Sequence, residues 1–133
     1  MIKRSFLGYN HKMKSFMYKP TVEDTQALYK HLNKEMFNNV LPPVRIKIKK
    51  NLKIKHKGKK CDVWAYQHKD KIVLTHKFPC YNLFEEILAH EMVHVWQACM
   101  TGDMHGKSFK LWDYAFSQRG LRLKKTYNED DYT

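Results

Sequence analysis

The sequence predicts an α+β domain: an N-terminal helix, a short three-stranded sheet, a long apolar helix and a closing C-terminal helix. Three observations carry this reading. Apolar residues recur at three- and four-residue spacing in separate stretches near the start, middle and end of the chain. Between the first and second stretches the period drops to two, the spacing of a half-buried strand. No internal repeat and no Gly/Ser/Pro-rich linker interrupts the 133 residues, so one domain accounts for them.

Residues 1–20 form a basic arm, because Lys3, Arg4, Lys12, Lys14 and Lys19 all precede the first acid, Glu23. The folded domain is then expected over 21–126. Thr21 is the N-cap of the first helix, with Asp24 in the first turn where a carboxylate meets the positive end of the helix dipole. Val22, Leu28, Leu32, Met36 and Phe37 give that helix one apolar stripe, and Asn38-Asn39 with Pro42-Pro43 ends it near Phe37. From Val44 the alternation begins: Val44, Ile46 and Ile48 against Arg45, Lys47 and Lys49, one buried face and one cationic face. Lys57-Gly58-Lys59-Lys60 reads as a turn, followed by strands at Val63–Tyr66 and Ile72–Thr75 joined by a hairpin over 67–71. The most apolar segment, Leu83 to Met100, is the second helix, with Glu85 and Glu86 expected in its first turn. The last helix runs from about Lys107 to Arg119 on Phe109, Trp112, Ala115 and Phe116, with Gly120 just beyond it in a left-handed conformation. Residues 127–133 read as an acidic tail.

Composition limits what such a domain can be. With 43% hydrophobic and 14% aromatic residues the chain can build a core, so wholesale disorder is excluded despite a mean hydropathy of −0.68. No run approaches the ~20 apolar residues of a spanning helix. Cys61, Cys80 and Cys99 are odd in number and widely spaced, which fits a reduced, intracellular protein and no disulfide scaffold. Ile2, Phe6 and Leu7 are too broken by charge to form a secretory signal, so the expected location is cytoplasmic or nucleoid-associated.

The chemistry lies in His90-Glu91-Met92-Val93-His94. Histidines four residues apart project about 40° apart around a helix, so both imidazoles can reach one Zn²⁺. Glu91 beside them is placed as general acid/base for a water attacking a carbonyl. A buried helix carries three such polar side chains together only if something satisfies them. A catalytic zinc also needs a third protein ligand. Six residues beyond His94 stands Met100, so the extended three-histidine helix motif is absent. His105, where the chain turns back into the last helix, and Asp113 within that helix are the two candidates, His105 the better placed.

His90-Glu91-Met92-Val93-His94 with Gln97, then His105-Gly106 and Phe109, resembles the SprT-like family of zinc metalloproteases, to which the DNA–protein crosslink protease Spartan belongs. Leu28-Tyr29, Asn33, Met36-Phe37-Asn38-Asn39 and Leu41-Pro42 extend the likeness over about residues 21–120. The resemblance implies a small zincin-like metalloprotease domain, with His90, His94 and His105 holding one catalytic Zn²⁺ and Glu91 as catalytic base. Many members also carry a C-terminal zinc ribbon with two pairs of cysteines. This sequence has none, so the likeness is to the catalytic domain alone. The glycine usual before the third histidine is Met104 here.

The formal charge of +12 is unevenly spread. Arg45, Lys47, Lys49, Lys50, Lys53, Lys55, Lys57, Lys59 and Lys60 fall in one stretch that contains no acid. Like charges at that density repel unless an anion accompanies them, and nucleic acid is the usual polyanion. Lysine in place of arginine favours phosphate contact over base reading, so DNA binding is expected to be sequence-tolerant and salt-dependent. Trp64, Tyr66 and Tyr81 are possible stacking faces. The expected protein is therefore a monomeric zinc endopeptidase, not membrane-bound, acting on proteins bound or crosslinked to DNA. Two rivals stand beside it: a non-catalytic zinc-containing nucleic-acid-binding module, and a zinc peptidase of one specific regulator without DNA dependence.

Overall fold

The computed structural model of the chain describes the backbone of residues 2–5 and the whole of residues 17–100 and 106–128. In chain order these form strand β1 (Ile2–Ser5), helix α1 (Val22–Phe37), strands β2 (Arg45–Lys49), β3 (Lys53–His56), β4 (Lys59–His68) and β5 (Lys71–Thr75), helix α2 (Tyr81–Met100), helix α3 (Lys107–Ser117) and strand β6 (Tyr127–Asn128). The α+β class and the order of helices agree with the sequence. The sheet is larger than the three strands expected: six are described, in the order β2-β5-β4-β1-β6, with β3 paired to β4 outside that path.

Helix α1 starts where the sequence places it, because Thr21 Oγ1 accepts the Asp24 amide at 3.0 Å. It stops at Asn38 and Asn39, whose φ of 53° and 61° suit asparagine better than most residues. The turn that follows is held by the helix itself. Asn33 exchanges two side-chain hydrogen bonds with the backbone of Leu41, at 3.0 and 3.1 Å, and the Tyr29 hydroxyl donates to the Pro42 carbonyl at 2.6 Å. These bonds aim the chain into β2. There Ile46 is buried while Arg45, Lys47 and Lys49 are exposed, as the two-residue period requires.

Strand β2 pairs in parallel with β5, Ile46 opposite Ile72 and Lys47 opposite Val73. The slip at Lys50-Asn51 is a turn with Asn51 at φ 53°, and beyond it β3 is a strand of its own. Lys57 and Gly58, at φ 53° and 80°, form the two-residue turn whose twist suits a β3–β4 hairpin. β4 is longer than expected because its first half pairs with β3 and its second half with β5.

The two ends differ most from the local sequence pattern. Residues 1–20 read as an arm, yet Ile2–Ser5 pairs antiparallel with β4 and parallel with β6. Residues 127–133 read as a tail, yet Tyr127 is wholly buried and its carbonyl accepts the Trp64 indole N–H at 3.2 Å. Both segments are strands because sequence-distant partners satisfy their backbones, which no local periodicity reports. Residues 6–16 of the arm and 129–133 of the tail lie outside the described residues.

The three helices share one face of the sheet. Leu32 and Phe37 of α1, Ile87 and Leu88 of α2, and Phe116 of α3 form a single core with Ile46, Trp64, Ile72 and Leu74. On the opposite face Leu52, Val63 and Val73 make a smaller cluster, with Ile54 and Tyr66 packed against it. Helix α3 ends at Ser117, two residues sooner than expected, in a glycine-capped turn. Gly120 lies at φ 81°, its amide bonds to Ser117 O, and the Leu121 amide bonds to Phe116 O, both at 3.1 Å.

Candidate active site

Helix α2 runs through the middle of the core, and every residue from Glu86 to Val95 is buried. Glu85 and Glu86 follow its first turn, which contains no acid. Its polar side chains must be satisfied there or cost several kcal/mol. The two motif histidines meet: His90 Nε2 and His94 Nε2 are 3.0 Å apart. A tetrahedral zinc at ~2.0–2.1 Å from each nitrogen would set them roughly 3.3 Å apart, so a shared cation fits the pair with a shift of a few tenths of an ångström.

The tautomer of His94 supports that use. Its Nδ1 lies 2.9 Å from Gln97 Oε1, a carbonyl oxygen that can only accept. The proton therefore sits on Nδ1, and the Nε2 lone pair is left to face His90. Gln97 is itself buried, and its amide nitrogen donates to Ser108 Oγ at 2.9 Å, which ties the first turn of α3 to the motif. The Phe109 ring rests against both imidazoles, with centroids 4.9 Å from His90 and 5.8 Å from His94. On the sheet side the Tyr127 ring stands 6.0 Å from His90.

Glu91 is 0% exposed, and both its carboxylate oxygens are buried with no hydrogen bond from the protein. Burial disfavours the charged form and pushes its pKa up to about 7. A carboxyl poised there can take and return a proton near neutral pH. The two facing imidazole nitrogens are the part of a cation site that the described residues supply.

Of the sequence-derived ligands, the structure brings His90 and His94 together. His105 lies outside the described residues; the chain resumes at Gly106, immediately before the α3 turn that touches the motif. Among the described residues no group of three or more His, Cys, Asp or Glu is gathered for a metal. The alternative third ligand, Asp113, is engaged elsewhere: its carboxylate accepts from Arg122 Nε and Nη2, each at 3.2 Å, and from the Leu123 amide at 2.8 Å. The three cysteines are free thiols, Cys61 and Cys80 half-buried and Cys99 exposed.

All nine cations from Arg45 to Lys60 are exposed. The structure supplies acids that the local sequence lacks, pairing Arg45 with Asp70 at 3.3 Å and Lys53 with Asp62 at 3.6 Å. Lys49, Lys50, Lys53, Lys55 and Lys60 line a groove of about 390 Å³ with Asn51 and Tyr66. Arg45, Lys47 and Lys49 alternate with core-facing Ile46, so they project from the sheet face turned away from the helices. Trp64 is wholly buried and offers no stacking face, whereas Tyr66 borders the groove. Ser108 and Tyr127, which touch the motif's surroundings, carried no signal in the sequence: one is a helix-start serine and the other sits in a polar stretch.

Among curated proteins and among solved structures nothing matches this chain. A family model does: that of the SprT-like family, over residues 25–129. The match runs from α1, through the Asn33 and Tyr29 turn and the motif helix, to β6. The chain belongs to the SprT-like family.

Proposed function

We propose that this domain is a zinc-dependent endopeptidase that cleaves proteins bound or crosslinked to DNA. The observation that carries the reading is the pair of Nε2 atoms 3.0 Å apart beside a buried Glu91 that receives no hydrogen bond from the protein. His90 and His94 would hold the metal, with His105 as the third ligand. Zinc in that place supplies Lewis-acid activation of a water and of the peptide carbonyl. Glu91 takes the proton of the attacking water and returns one to the departing amine. Gln97 keeps the His94 proton on Nδ1, and Phe109 holds both rings against rotation.

The lysine-rich face lies on the far side of the sheet from the motif helix. Bound nucleic acid there would tether the enzyme without entering the active site, so position on DNA, more than side-chain pockets, selects the substrate. Tethering of this kind is sequence-tolerant and weakens steeply with salt.

The test is cleavage of a DNA-binding protein, with and without DNA, by the wild type and by Glu91→Gln. Loss of cleavage with zinc retained supports the peptidase. Failure of the zinc-loaded wild type to cleave any protein, on or off DNA, contradicts it and leaves a zinc-containing nucleic-acid-binding module. Cleavage that DNA does not stimulate points instead to a peptidase of a specific protein.

A further inference from the structure

Gln97 is wholly buried, with a partner at each end of its carboxamide. Its Oε1 lies 2.9 Å from His94 Nδ1, and its Nε2 donates to Ser108 Oγ at 2.9 Å. The oxygen and nitrogen ends of a carboxamide have nearly the same shape, so hydrogen bonding, not packing, decides which end meets His94. The two orientations do opposite things to the imidazole. With the oxygen toward His94 the ring proton stays on Nδ1, and the Nε2 that faces His90 keeps its lone pair. With the amide reversed, an N–H points at Nδ1, the ring proton moves to Nε2, and His94 can no longer take a metal there.

A cation on Nε2 therefore requires the first orientation, which turns the amide N–H groups away from His94. A buried N–H needs an acceptor. Ser108 Oγ is that acceptor, and it comes from another helix. Serine near a helix start often bonds its own backbone; here Gly106 is the N-cap of α3, with no side-chain cap, and the hydroxyl two residues on reaches across to α2. The neighbours of Ser108 fix α3 against the motif helix. Phe109 rests on both imidazoles, and Trp112 meets Trp96 edge-on with centroids 5.4 Å apart.

We propose that Ser108 is a positioning residue of the metal site: its hydroxyl holds the Gln97 carboxamide with the oxygen toward His94, and so keeps the His94 Nε2 lone pair available to the cation. The proposal rests on the zinc reading above and does not require hydrolysis. It gives α3 a part in metal binding besides supplying core. Ser108 also stands three residues after His105 in the sequence, at most ~10 Å of extended chain, so this bond fastens α3 to the motif close to the proposed third ligand.

Zinc affinity, read by competition against a chromophoric chelator, tests the relay in the full chain. Ser108→Ala should bind zinc about five- to thirtyfold more weakly, because the loaded site requires the orientation in which the amide N–H has lost its acceptor. Ser108→Thr keeps a hydroxyl, and the hollow of about 310 Å³ beside Ser108, lined by Trp96, Leu111, Trp112 and Ala115, has room for the added methyl, so affinity should return close to wild type. Gln97→Glu presents an acceptor to His94 whichever way it lies. In that background Ser108→Ala should change affinity by less than about twofold. No loss in Ser108→Ala, or an equal loss in both backgrounds, overturns the proposal. Nitrogen NMR of the His94 ring in the metal-stripped chain reads the tautomer directly: the proton should sit on Nδ1 in wild type and shift in part to Nε2 in Ser108→Ala. An unchanged tautomer also overturns it. Wild type that takes up no zinc but shows the tautomer shift supports the role of Ser108 and contradicts the zinc reading.

Discussion

Replacing Gln97 by leucine removes two hydrogen bonds of 2.9 Å, a buried one from His94 Nδ1 and a half-buried one to Ser108 Oγ. The shape of the side chain is nearly kept, so the loss is chemical. Each bond contributes about 1 kcal/mol net, and a buried His94 N–H without an acceptor costs about 1–3 kcal/mol. The metal-free chain should therefore unfold at lower urea, with ΔG reduced by roughly 2–4 kcal/mol. Zinc should bind about 10–100-fold more weakly, because the imidazole is no longer held in the tautomer and orientation that present Nε2. Competition against a chromophoric chelator measures the affinity, and urea unfolding in the presence of EDTA measures the stability. Gln97→Glu keeps an acceptor for His94 and should retain zinc. If Gln97→Leu binds zinc within about threefold of wild type, a fall far short of the expected range, the role assigned to Gln97 is wrong.

Other expectations follow from packing and charge. Phe116, wholly buried against Phe37 and Trp112, should cost about 3–5 kcal/mol when cut to alanine, read from the denaturation midpoint. Gly120→Ala meets no atom within 4 Å but forces φ +81° on a side chain, so thermal unfolding should show a loss of about 1–2 kcal/mol. DNA affinity should fall with log salt at a slope of about −3.5 to −4.5 if about five phosphates are engaged. Lys49→Glu with Lys60→Glu, in the groove, should flatten that slope; an unchanged slope would remove the groove from the account.

Much of this molecule was legible in its sequence because the relevant rules are local. Thr21 caps α1 through its own side chain, the Val44–Lys49 alternation reports one buried face, and Gly120 marks the end of α3. The motif helix was legible for the same reason, since His90 and His94 share a helical face whatever surrounds them. What escaped depends on partners far along the chain. Ile2–Ser5 and Tyr127–Asn128 have no strand periodicity of their own and become strands only through β4 and through each other. Asp70 and Asp62, which pair with Arg45 and Lys53, lie outside the acid-free stretch that made the region look unbalanced. Asp113, weighed as a ligand, is instead a clamp on Arg122 and Leu123, a role that requires knowing how the chain returns after α3.

The central claim is that the facing histidines of α2 hold zinc in a catalytic arrangement. Elemental analysis after stripping and reconstitution tests it most directly when done together with a cleavage assay on wild type, His94→Ala, His105→Ala and Glu91→Gln. The account predicts zinc equimolar with wild type and with Glu91→Gln, a severe loss of zinc in both alanine variants, and cleavage by wild type alone. Folded wild type that takes up no zinc would contradict the account at its root, and full zinc content in His105→Ala would show that another residue completes the site.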